Sequence, residues 1–276
     1  MQGRVVGKVA IVTGAGSSGA GVGTGKAIAV TLAREGACVL LADKYPERAE
    51  LTLGLITESG GTGAGAVFAA DISRPGDCAA MVHAAVESFG GLDILVNNAG
   101  ITSHVPITQT TDELYDSIIG VNLTGSFNAC KHAIPELIRR GGGSIVTIGS
   151  IAGVRDSGST HPAYSASKAA LLGLTVDLAG AYGRDNVRVN AILPGLIDTP
   201  MATGVPSSGT ALSGAGVPNL LARKGDAWDI ANAALFLCSD EAAYITGVML
   251  PVDGGAIAGM PSTQLLRSAQ VPAIEH

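Results

Sequence analysis

Apolar residues in this chain gather into short uninterrupted runs. Between the runs lie longer stretches in which apolar positions recur every three or four residues. The runs read as buried strands at Val9–Thr13, Cys38–Ala42, Ala66–Ala70, Asp93–Asn97, Ser144–Ile148, Val187–Ile192 and Val248–Val252. The periodic stretches predict helices at Lys26–Glu35, stopped by Gly36, at Ala49–Ser59, and at Asp77–Phe89, ended by Gly90. Thr111–Arg139 is mostly helical and long enough to hold a bend, and Ala163–Tyr182 and Asp226–Leu237 complete the set. Alternating apolar strands and helices predict an α/β fold: one doubly wound parallel sheet with helices on both faces.

No linker or internal repeat interrupts the alternation, so residues 1–260 read as one domain. A Gly-, Ser- and Thr-rich segment from about Met201 to Gly216 reads as a mobile loop within a substrate loop spanning about 201–225. Residues 261–276 form a tail with no partner visible in the sequence.

Composition narrows the class. Hydrophobic residues make up 47% of the 276 and aromatics only 4%, so the core must be built of Ala, Val, Leu and Ile. The net charge of -6 argues against a nucleic-acid partner, which calls for a basic excess. No apolar run is long enough to span a membrane. The N-terminus leads almost directly into a strand without a cleavable signal pattern. The widely spaced Cys38, Cys78, Cys130 and Cys238 contain no C-x-x-C pair and read as free thiols in a reducing cytoplasm, with no metal site expected.

The chemistry concentrates in Tyr164-Ser165-Ala166-Ser167-Lys168. Residues four apart share a helix face, so the ammonium should favour ionisation of the phenol and make Tyr164 an acid/base for an alcohol or a carbonyl. Between the first strand and first helix lies a Gly-rich turn containing Gly14, Gly16, Ser17, Gly19, Gly21, Gly23 and Gly25. Backbone N–H groups of such a turn can approach a diphosphate at a helix N-terminus. Asp43 ends the second strand, where a carboxylate can accept both ribose hydroxyls of an adenosine and repel a 2′-phosphate. NAD is therefore favoured over NADP, although Lys44 adjoins Asp43. Asp71 and Ile72 after the third strand could meet an adenine, or Asp71 could simply cap a turn. Asn97-Asn98-Ala99-Gly100 closes the fourth strand, where it can bridge strands and leave a backbone edge for a ligand. Asn122, a poor mid-helix residue, marks either a bend that frees a carbonyl for water or a solvated surface position. Ser150 follows the fifth strand, placed to bond a substrate oxygen or to cap a turn.

In this order the motifs resemble the short-chain dehydrogenase/reductase family, from Lys8 to about Gly255, including Pro194-Gly195 and Val252-Asp253-Gly254-Gly255. The resemblance implies a Rossmann-like fold, NAD(P)-dependent alcohol–ketone chemistry and a cytosolic homotetramer or homodimer. It implies Tyr164 as catalytic acid/base, Lys168 lowering its pKa and holding the nicotinamide ribose, Ser150 polarising the carbonyl and Asn122 holding a relay water. It places Asp71 and Ile72 at the adenine, Asn98, Ala99 and Gly100 along the ribose, and Pro194, Gly195, Ile197 and Thr199 at the carboxamide side.

Two departures from the family pattern stand out. Eight residues separate Gly14 from Gly23, and Ser150 and Tyr164 lie fourteen positions apart, one more than expected. Gly23 and Gly25 align with the glycines that begin the family's first helix, with Gly19 and Gly21 as competitors.

The reading is an NAD-dependent oxidoreductase for an uncharged secondary alcohol or ketone. The alternatives are an NADPH-dependent carbonyl or 3-oxoacyl reductase, and, in another class, a dinucleotide-binding regulator. A lyase or dehalogenase reusing Ser and Tyr without a nucleotide would lack the Gly-rich turn and Asp43. Candidate pocket residues are Thr102, Ser103, His104, Val154, Arg155, His161, Pro162 and the segment Met201–Leu221, which carries no Lys or Arg to clamp an anion. His161 either contacts substrate or packs on Pro162.

Overall fold

The computed structural model describes residues 3–59, 63–201 and 219–259. Most of the expected substrate loop and all of the expected tail lie outside these.

The main sheet has seven parallel strands in the order β3-β2-β1-β4-β5-β6-β9. They are β1 (Val9–Thr13), β2 (Cys38–Asp43), β3 (Gly65–Ala69), β4 (Ile94–Asn97), β5 (Gly143–Ile148), β6 (Val187–Pro194) and β9 (Met249–Val252). The helices are α1 (Thr24–Arg34), α2 (Pro46–Glu58), α3 (Pro75–Phe89), α4 (Asp112–Ile119), α5 (Ser126–Arg139), α6 (Pro162–Tyr182) and α7 (Ala227–Cys238). Side chains alternate across each strand, and both faces are buried. Ala10 and Val12 of β1 join one core with α1, α2 and α7, while Val9 and Ile11 join another with α3 and α5.

Four helices start earlier than the apolar pattern suggests: α1 at Thr24, and three others where Pro46, Pro75 and Pro162 stand in their first turns. Proline has no N–H to lose there, and its fixed φ suits the first turn. The expected bend within 111–139 is a single π-helical turn at Gly120–Gly125 between α4 and α5. A two-residue pair, β7 (Ile197–Asp198) with β8 (Gly225–Asp226), was not expected; it is too short to show a period. It leads into α7, which Asp226 and Asp229 cap reciprocally.

The strand order reverses between β1 and β4. Loops from both halves therefore diverge at the C-terminal edge of the sheet and leave a crevice there.

Candidate active site

The nucleotide side of the crevice begins at Gly14, which has φ +63° and lies so close to Ala99 that a Cβ would come within 2.8 Å of its Cα. A Cβ at Gly25 would overlap the Gly14 carbonyl and the Asn98 amide. Gly23 is the N-cap of α1, so the helix begins where the alignment of Gly23 and Gly25 places it. The Gly23 N–H donates to Ser17 Oγ (2.8 Å), and no side chain caps the helix. This start of α1, uncapped by a side chain and following β1 at the C-terminal edge of the sheet, is the kind of helix N-terminus that fits a diphosphate. Of the lengthened turn, Gly19 and Gly21 lie beside Pro200, in the segment after β6.

Asn98 is a brace. Its Nδ2 donates to the carbonyls of Thr13 (2.9 Å) and Gly14 (3.0 Å), and its Oδ1 accepts from Thr24 Oγ1 (2.7 Å). Thr13, which the sequence reading passed over, accepts the N–H groups of Asn98 and Ala99 on its hydroxyl at 3.0 and 3.1 Å. Its position just before Gly14 was the available signal.

Asp43 accepts from the N–H of Gly16 (2.9 Å) and of Tyr45 (3.0 Å), which ties β2 to the Gly-rich turn. Lys44 turns away to Asp71 (2.8 Å), and the Arg48 guanidinium lies 4.1 Å from the centre of the Tyr45 ring. Burial works to raise the Asp71 carboxyl, but hydrogen bonds from Lys44 and Ser73 outweigh it and hold the group below the ordinary carboxylate value. Ile72 is buried against Gly125.

On the other side of the crevice, β5 delivers Ser150 and α6 delivers Tyr164 and Lys168. Ser150 Oγ accepts from Ala152 N (3.1 Å) and lies close enough to the Tyr164 phenol to favour its ionisation. Lys168 is buried, donates to the Ile148 carbonyl at 2.7 Å and sits 5.6 Å from the centre of the Tyr164 ring. The expected lowering of the phenol pKa is not found. Burial pushes Tyr164 up against the opposing effect of Ser150, and burial pulls Lys168 down to about 8. Lys168 is buried and Tyr164 partly buried, and desolvation outweighs the one-turn spacing.

Asn122 lies inside the π-turn and is fully buried, so the solvated-surface alternative fails. Its amide is spent on Ile101 N (2.8 Å), Ile101 O (3.0 Å) and Ser167 Oγ (2.9 Å). Its carbonyl is not free as expected but accepts from Ser126 Oγ at 2.9 Å. Gly195 packs on Asp253, which in turn accepts the N–H groups of Gly255 and Ile257. Pro194 ends β6, Ile197 is buried in β7, and Thr199 is half-buried just before Pro200. His161, at the N-cap of α6, meets the Tyr164 ring edge-on at 5.3 Å.

A family model described as enoyl-(acyl carrier protein) reductase matches residues 19–256. The chain is 39% identical over 260 residues to the 2,5-dichloro-2,5-cyclohexadiene-1,4-diol dehydrogenase LinX of Sphingobium indicum, covering 94% of this chain and all of the relative. It is 36% identical over 256 residues to the 3-oxoacyl-[acyl-carrier-protein] reductase FabG of Thermotoga maritima, covering 92% and 99%. The chain belongs to the short-chain dehydrogenase/reductase family. A solved family structure, a 7α-hydroxysteroid dehydrogenase complexed with NADH and 7-oxo glycochenodeoxycholic acid, superposes with a TM-score of 0.82 at 34% identity, covering 91% of this chain and 95% of the other. As a short-chain dehydrogenase/reductase the protein is an oxidoreductase that works with a nicotinamide dinucleotide. No helix among the described residues is long and apolar enough to cross a membrane.

Proposed function

We propose that the protein interconverts an uncharged secondary alcohol and its ketone with NAD(H). The observation that carries this is the grouping of Ser150, Tyr164 and Lys168 across the crevice from the uncapped start of α1. The bound dinucleotide supplies the hydride acceptor or donor. In oxidation Tyr164 takes the carbinol proton, and in reduction it returns one. Ser150 donates to the substrate oxygen as charge builds there, a term worth about 3 kcal/mol by comparison with oxyanion-hole donors. Lys168, the asparagine brace at 98 and the Asp71–Ile72 corner would hold the ribose and adenine parts, with Thr199 and its neighbours at the carboxamide.

Asp43 supports NAD over NADP. It is held beside the Gly-rich turn, while Lys44 and Arg48 are engaged by Asp71 and Tyr45. Steady-state rates with both cofactors test this: kcat/KM should be higher with NAD(H), and Asp43→Ser should narrow the gap. A higher value with NADPH would favour the carbonyl or 3-oxoacyl reductase reading, which the similarity to FabG keeps in view. The similarity to LinX, named for a cyclic diol, supports a small cyclic alcohol as substrate.

The four cysteines are unpaired, in keeping with a cytoplasmic location. Ala166, Ala169, Ala170, Gly173 and Gly180 lie exposed on α6, a face of small residues that suits close packing in a homodimer or homotetramer. Sedimentation as a monomer at micromolar concentration would contradict that assembly.

A further inference from the structure

Two histidines stand beside Tyr164, and the proton-transfer group uses neither. The rings form a row: His161 lies 5.3 Å from Tyr164 at 68°, and His104 lies 5.6 Å from His161 at 60°. The loop that connects β5 to α6 fixes one nitrogen of each. Ser159 Oγ is 3.0 Å from His104 Nδ1, and Ser157 Oγ is 2.9 Å from His161 Nε2. The remaining nitrogens, His104 Nε2 and His161 Nδ1, are buried and have no hydrogen-bond partner among the described residues. Buried polar atoms are normally satisfied, and leaving one unmade is costly. His161 is not spent on its own helix either, since it occupies the N-cap of α6 without a side-chain capping bond.

Neighbouring charge does not account for the pair. Arg155 directs its guanidinium to the carbonyls of Asp156 and Ala256. Burial, helped by His104 and opposed by Asp156, holds His161 below the ordinary histidine value, so its imidazole is neutral at pH 7. A neutral imidazole anchored at one nitrogen offers either one N–H or one lone pair at the other. That nitrogen of His161, with the open nitrogen on the adjacent His104 ring, matches a hydroxyl, which donates once and accepts, or a carbonyl, which accepts from an N–H. His161 offers no fixed positive charge for a carboxylate or a phosphate.

We infer that His104 and His161 form a polar subsite for a second, uncharged oxygen of the substrate, so that the preferred substrate is a diol, a hydroxyketone or a dione and not a simple alcohol. This rests on the alcohol–ketone reading above. His161 adjoins the Tyr164 ring, so the second oxygen would belong to the same small molecule as the reacting carbinol. A site built to hydrogen-bond a substrate hydroxyl discriminates strongly against the analogue that lacks it, because the buried partners are then left unmade.

The test compares cyclohexanol with the 1,2-, 1,3- and 1,4-cyclohexanediols, using NAD⁺ and NADP⁺. It uses the wild-type enzyme and the double variant His104→Phe/His161→Phe, in which rings and packing are kept and the nitrogens removed. At least one diol should exceed cyclohexanol in kcat/KM tenfold or more. In the double variant that ratio should fall at least tenfold, chiefly through KM, while NADH binding persists as the sign of an intact fold. If the double variant loses NADH binding, the two single variants carry the same comparison. Turnover of cyclohexanol with no diol preferred would overturn the subsite, as would a preference that survives loss of both nitrogens. Failure of every alcohol and every corresponding ketone to react would instead overturn the alcohol–ketone reading, and the subsite with it.

Discussion

The two edges of the parallel sheet differ in the polar groups they leave open. At the N-terminal edge the charges are answered. Lys8 pairs with Asp240 (3.3 Å) and Arg140 with Asp93 (3.1 Å). Asp93 also accepts the Val9 N–H (2.8 Å), and Arg188 donates to the carbonyls of Ile245 and Ser239. At the C-terminal edge, among the described residues, a buried ammonium has one carbonyl for company, a helix start has no side-chain cap, and two histidine nitrogens lack partners. Both edges are made by the same strands, so topology alone does not explain the contrast. Open valences are left where a ligand is to be received and are closed where only the fold is served.

The largest expected effect breaks the open edge at its centre. Tyr164→Phe removes one hydroxyl and leaves the ring in place. The expected loss in kcat is the ~10²–10⁴ of a missing general acid/base, with NADH affinity little changed. A variant that kept more than about a tenth of wild-type kcat would remove Tyr164 from proton transfer.

Next comes the cost of the open edge. Burial holds Lys168 at about 8 against an ordinary 10.5, a difference on the order of 3 kcal/mol. A depressed lysine means that the unfolded chain binds the extra proton between these two values. Stability should therefore rise with pH across that window and carry the full penalty below it. Lys168→Met gives up the bond to Ile148 but also the penalty. The variant should be inactive, more stable at pH 7 by about 1–2 kcal/mol, and without the alkaline rise. Chemical denaturation from pH 7 to 10 reads this directly. A less stable variant would mean that the ammonium is well solvated and the contrast between the edges false.

The smallest effect is expected at the closed edge. Arg140→Met removes a half-exposed partner of Asp93, whose other oxygen keeps the Val9 N–H. The expected cost is about 0.5–1 kcal/mol, with turnover unchanged. A large loss of activity would mean that the edges communicate.

The pattern of apolar runs located every strand of the large sheet to within two residues, because strands buried on both faces leave an unmistakable mark. It missed the two-residue β7–β8 pair and the early helix starts at Pro46, Pro75 and Pro162. The disrupted helix around Asn122 was legible from one ill-suited residue, but the burial of its amide and the engagement of its carbonyl by Ser126 were not. The sign of the Tyr164 shift was misjudged because spacing reports proximity and is silent on desolvation. Lys44 and Asp71 are 27 positions apart and meet only through the β2–β3 register, in which Asp43 pairs with Ala69. His104 and His161 are farther apart still, and nothing local to either announces the other.

The packing of α1 against α7 bears on how the chain is made. These two helices share one core, yet the first is synthesised near the start and the second near the end. The face of α1 that meets α7 therefore waits, uncovered, while most of the polypeptide emerges. Long-range closure of this kind is slow and exposes apolar surface to aggregation. In stalled nascent chains, protection of α1 from protease should appear only once α7 has left the ribosome, and earlier protection would show that the first half folds without it.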